Sequence, residues 1–98
     1  MKHTEQQIFE ISIKILRDLN PKKFAESDIE NIIFSPKDKT ANSDRKLSDS
    51  WLISIKSLFG NIDILAIADE TGEPLYYQNF NFAKVKIQKD SKGIYTFV

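Results

Sequence analysis

The sequence predicts a single α+β domain, residues 1–98, in which one N-terminal helix packs on a curved antiparallel β-sheet, a meander of about five to six strands. Three observations lead there. Apolar residues recur at helical spacing through the first twenty positions. From residue 50 onward apolar and polar residues alternate in short runs. Those runs are separated by Gly-, Asn-, Asp- and Pro-containing turns too short for a crossover, so consecutive strands pair antiparallel.

The helix is predicted over residues 4–19. Thr4 and Gln7 have the T-x-x-Q form of a capping box, and Ile8, Ile11, Ile15 and Leu19 form its apolar stripe, broadened by Phe9, Ile13 and Leu16. Asn20-Pro21 ends it, because a residue before proline is driven out of helical geometry. Residues 21–34 read either as a short helical turn or as a first strand; the β-branched run at 29–34, stopped by Ser35-Pro36, favours strand there. Residues 35–50 hold almost nothing that can be buried and read as a mobile polar loop. Strands follow at 51–56, 62–67, 75–78, 82–88 and 94–98. Phe59-Gly60-Asn61, Asp69-Glu70-Thr71-Gly72-Glu73-Pro74 and Asp90-Ser91-Lys92-Gly93 are read as turns, and Asn79-Phe80-Asn81 as a kink or short loop.

Composition restricts the function classes. With 41% hydrophobic residues, the 98-residue chain has the material for a core, and with no cysteine it must be held by that core or by a partner. Fourteen basic and fourteen acidic residues cancel, and neither half of the chain carries a surplus, which argues against a general nucleic-acid binder. The charged start Met1-Lys2-His3-Thr4-Glu5 has no apolar secretory core, and no apolar run reaches membrane-spanning length, so a cytoplasmic protein without membrane association is expected.

No catalytic, metal or cofactor signature stands out. His3 is the sole histidine, sits ahead of the helix and reads as a mobile surface residue. Asp63, Asp69, Glu70 and Glu73 cluster around a strand and its turn without the spacing of a calcium loop, and Thr71-Gly72-Glu73-Pro74 reads as hairpin chemistry. The glycines are isolated at turns and form no phosphate-binding loop. Lys56, Lys84 and Lys86 read as a polar sheet face or guarded edge. The aromatics are more suggestive. Tyr76 and Tyr77 point to opposite faces of one strand, with Phe80 and Phe82 close behind, so one helix cannot cover them all.

Trp51-Leu52-Ile53-Ser54-Ile55, followed by Ile62-Asp63-Ile64-Leu65-Ala66-Ile67-Ala68-Asp69-Glu70-Thr71-Gly72-Glu73-Pro74-Leu75, resembles two patterns: the W-x-I strand and D-x-T-G turn of PepSY-type domains, and the similar strand and acidic turn of small bacterial immunity proteins. The strands that follow the turn, and the lack of an export leader, depart from PepSY domains and favour the second. That resemblance implies a non-enzymatic protein-binding module that neutralises a toxin or other effector by covering its active surface. The expected partner-binding residues are Asp69, Glu70, Glu73, Tyr76, Tyr77 and Phe80, assisted by the 35–50 loop, with no catalytic residue, metal or cofactor. The alternatives are a small-ligand-binding or enzymatic α+β barrel with a pocket between helix and sheet, and a homo-oligomer, such as a dimer, joined through exposed sheet edges or faces.

Overall fold

The structure, a computed structural model, describes residues 2–36, 49–56, 61–79, 81 and 83–98. Phe80, Phe82, the Phe59 and Gly60 turn residues and most of the predicted 35–50 loop lie outside the described residues. The helix α1 (Glu5–Leu19) starts on the predicted capping box: Thr4 Oγ1 accepts the Gln7 amide at 3.1 Å, and Gln7 Oε1 accepts the Thr4 amide at 2.8 Å. Ile8, Ser12, Ile15 and Leu16 form its buried face. Ser12 is tolerated there because its hydroxyl donates back to the Ile8 carbonyl at 2.7 Å, leaving no unmet donor in the core.

A 3-10 turn (Glu26–Asp28) leads into the first strand, β1 (Ile29–Ser35), so the ambiguous segment resolves into a short helical turn followed by a strand. Then come β2 (Ser50–Lys56), β3 (Ile62–Ala68), β4 (Pro74–Gln78) and β5 (Lys84–Val85), which pair antiparallel in chain order β1-β2-β3-β4-β5. The predicted helix-on-meander architecture is therefore the observed one. Irregularities between Ile29 and Asn31 and between Ala66 and Ile67 interrupt the ladders. Such bulges increase local twist and bend a sheet.

Pairing sorts the side chains into two faces. Phe34, Trp51 and Ile67 stand in one cross-strand row, and Ile32, Ile53, Leu65 and Tyr77 in the next. Their buried members join Ile8, Ile15 and Leu16 of α1 in one core. The alternate rows, Ile33–Leu52–Ala66–Tyr76 and Asn31–Ser54–Ile64–Gln78–Lys84, belong to the opposite face.

One predicted strand is divided. The 82–88 run breaks at Lys86: Val85 still pairs with Tyr77 of β4, whereas β6 (Ile87–Lys89) pairs with β7 (Tyr95–Phe97) in a separate two-stranded sheet. This hairpin lies beside α1. Tyr95 is buried in the core, its amide donates to Asp18 at 3.2 Å, and the Lys14 ammonium sits 5.5 Å from its ring centroid. Phe97 meets Tyr77 edge-on at 5.5 Å. Helix and hairpin thus share one face of the sheet, and neither covers the other.

The two faces should respond differently to truncation. Ile53 is fully buried, so Ile53→Ala should cost about 3 kcal/mol in urea unfolding. Ile33 is 49% exposed, and Ile33→Ala should change stability by no more than about 0.5 kcal/mol.

Candidate functional site

The turn between β3 and β4 is organised around Asp69, whose side chain is buried. Its Oδ1 accepts the Trp51 indole N–H at 2.8 Å and the His3 amide at 3.1 Å, while Oδ2 accepts the Lys2 amide at 2.6 Å. The Asp69 carbonyl accepts from His3 Nδ1 at 2.6 Å; because a carbonyl can only accept, that ring nitrogen carries the proton. Burial opposes ionisation of this carboxyl, but the Trp51 indole and the two amides outweigh it and hold the group below its usual pKa. His3, expected to be a mobile surface residue, is instead fixed to the turn. Nothing local in the sequence signals this, because the two partners are 66 positions apart.

Gly72 completes the corner. Its φ of +75° is open to glycine at little cost, and a Cβ there would sit 3.1 Å from His3 Nε2 and 3.2 Å from Ile11 Cδ1. Its amide donates to the Ala68 carbonyl at 2.8 Å, closing the turn.

The residues expected to bind a partner are distributed over different surroundings. Asp69 is interior. Glu70 and Glu73 are exposed on the turn; Glu73 pairs with Lys89 at 3.5 Å and accepts the Tyr95 hydroxyl at 3.4 Å. Tyr77 points toward the helix side, where its hydroxyl donates to Asp63 Oδ2 at 2.6 Å. Burial, and then the hydrogen bond and charge of Asp63, raise the pKa of that phenol. Tyr76 belongs to the opposite face, with the Lys84 ammonium 4.7 Å from its ring centroid. Phe80 lies outside the described residues.

Tyr76, one of the expected binding residues, stands on that opposite face beside apolar residues that the sequence alone does not single out. Ile33 and Ile62 are exposed large apolar residues at 49% and 43%, and Leu52, Ile64 and Tyr76 are half-buried between them. Ser50, Ser54, Asn31 and Gln78 make the surroundings polar, and Lys56 and Lys84 supply the only charges at the paired positions of this face among the described residues. An apolar centre within a polar, cationic border has the composition of a protein-binding patch.

Compared with models of protein families, with curated proteins and with solved structures, the chain finds no match. Among the described residues no group of three or more His, Cys, Asp or Glu side chains could hold a metal ion, and no helix is long and apolar enough to cross a membrane.

The Asp69 corner gives two expectations. A carboxyl whose folded pKa is depressed contributes its full stability above the unfolded value of about 3.9 and loses it as pH falls through the folded value. Asp69→Asn should therefore lower stability at neutral pH by about 2 kcal/mol and flatten the acid limb of the stability profile below about pH 4, measured by urea unfolding across pH. Gly72→Ala, strained and crowded, should cost about 1–3 kcal/mol; Gly93→Ala, also at positive φ but facing open space, should cost less by the same measurement.

Proposed function

We propose that this protein is a non-enzymatic, intracellular protein-binding module of the inhibitor or immunity type, and that it engages its partner through the open face of the sheet. The observation that carries the reading is the row Ile33–Leu52–Ala66–Tyr76, flanked by Ile62 and Ile64, on the face opposite helix and hairpin. Apolar side chains on a sheet face gain free energy by being covered, at about 25 cal/mol per Å² of apolar surface removed from water. Tyr76 supplies the kind of rigid aromatic that dominates binding energy at interfaces.

Charge selects the partner. With Lys56 and Lys84 at the border and no carboxylate at the paired positions among the described residues, the face complements an apolar protein surface bordered by Asp and Glu. The same arrangement disfavours a second copy of this chain, because stacking two such faces brings cations toward cations. Glu70 and Glu73 lie at the β3–β4 turn, where Glu73 is already engaged by Lys89, and are peripheral to this contact.

The test is capture from the source organism with the tagged protein, followed by binding measurements on the captured protein with purified variants. An Ile33→Ser/Tyr76→Ala variant should keep its melting temperature within a few degrees and bind at least about tenfold more weakly. Glu70→Ala/Glu73→Ala should bind as the wild type does. Loss of binding that follows the two glutamates rather than Ile33 and Tyr76 would place the docking surface on the turn, against this reading.

A further inference from the structure

The sheet has two edges, and they are built differently. At one end β5 is a strand of two residues, one of them Lys84. A short strand that carries lysine is a poor template for a further strand. At the other end β1 is seven residues long, and its segment from Asn31 to Ser35 contains no charge, no glycine and no proline. Among the described residues no backbone group pairs with its outer side.

The register shows which groups of β1 face outward. The Asp69 amide donates to the Asp49 carbonyl at 3.1 Å, so the alternate residues Trp51, Ile53 and Ile55 turn their backbone groups to β3. Ser50, Leu52 and Ser54 turn theirs to β1. The residues opposite these, Ser35, Ile33 and Asn31, are therefore bonded to β2, and the amides and carbonyls of Ile32 and Phe34 point away from the sheet. The Ile32 amide agrees with this: it donates to Asn31 Oδ1 at 2.9 Å. A side chain thus stands in for the strand that this edge lacks.

We propose that β1 pairs antiparallel with β1 of a second copy of this chain, about a two-fold axis through Ile33, joining two five-stranded sheets into one. The regular segment sets the register. The irregularity between Ile29 and Asn31 bounds it on one side, and Pro36, which has no amide to give, bounds it on the other; Ile33 lies midway. In that register Ile33 faces Ile33 of the second copy, Ile32 faces Phe34, and Asn31 faces Ser35. Apolar meets apolar and polar meets polar, so the segment is its own complement, which favours a second copy over an unrelated strand. Ile32 and Phe34 exchange their outward amides and carbonyls across the seam once Asn31 releases the Ile32 amide. No like charges meet there, because the segment carries none. Edge pairing differs in this from face-to-face stacking, in which lysines would approach lysines. An isologous contact closes on itself and leaves only the guarded β5 edges, so assembly stops at a dimer. The row Ile33–Leu52–Ala66–Tyr76 of each copy then continues into the other, and the pairing does not depend on what that row binds.

The chain has no cysteine, so single substitutions can report the seam. In a non-hydrogen-bonded antiparallel pair the Cα atoms lie about 4.5 Å apart, within disulfide reach. Purified Ile33→Cys, treated with oxidised glutathione at about 100 µM, should form a disulfide dimer at least about tenfold faster than Ile62→Cys, which is exposed on the same face away from β1. Sedimentation of the wild-type protein between about 10 and 500 µM should give a mass rising toward twice that of the chain. Amide exchange at Ile32 and Phe34 should slow about threefold or more over the same range. Ile33→Lys, which puts like charges on the axis, should stay folded by circular dichroism and sediment as a monomer. Tyr76→Ala, which alters the docking face away from the seam, should dimerise as the wild type does. A monomeric wild-type mass throughout, Ile33→Cys crosslinking no faster than Ile62→Cys, or a dimer that survives Ile33→Lys overturns the proposal. A dimer lost with Tyr76→Ala but kept with Ile33→Lys would assign the contact to the open face and overturn it equally.

Discussion

The buried carboxylate of Asp69 is the point on which the arrangement of the other parts depends. It ends β3, receives the indole of Trp51 from β2, and receives the amides of Lys2 and His3 just ahead of the helix cap. One side chain therefore fixes the first turn of α1 relative to the central strands. The apolar stripe of a helix determines which side of it is buried, but not where along the sheet it settles. Directional bonds to a desolvated carboxylate are strong enough and specific enough to define that position.

With the helix held at that position, the sheet acquires two unlike faces. The helix side is closed by α1 and by the β6–β7 hairpin, with Tyr95 buried between helix and turn and stacked against Lys14 and Lys89. The opposite side keeps an apolar row that the described parts of the chain leave partly in solvent. The proposed docking of a macromolecular partner rests on this division, because the broad, cation-bordered face is the one that helix and hairpin do not cover.

Much of the architecture was legible because its signals are local. The capping box, the Asn20-Pro21 stop and the turn at residues 69–73 each involve residues a few positions apart, so spacing alone reveals them. Two features were hidden for a physical reason. Alternation at 82–88 looks the same whether a strand keeps one neighbour or exchanges it, and the change of partner at Lys86 depends on β7, which supplies the alternative edge. In β3, both Ile62–Ile64–Ala66 and Asp63–Leu65–Ile67 are largely apolar, so period two could not say which set faces the helix. The structure turns the set containing an aspartate inward. Asp69, Glu70, Glu73, Tyr76 and Tyr77 cluster in sequence, which groups them as one surface. The pairing instead sets Tyr76 beside Ala66 and, one strand further, Leu52, and sends Tyr77 to the other side.

The tie between His3 and Asp69 also bears on how the chain reaches this state. The helix precedes the sheet in the chain, yet the residue that anchors its start is 66 positions away from His3. During synthesis α1 has no docking surface until β2 and β3 have emerged and the turn bearing Asp69 has followed. Closing so long a loop has an entropic cost that rises only slowly with length, but it slows the approach of the two ends. The position of α1 is therefore fixed by a residue that lies beyond three strands of the sheet.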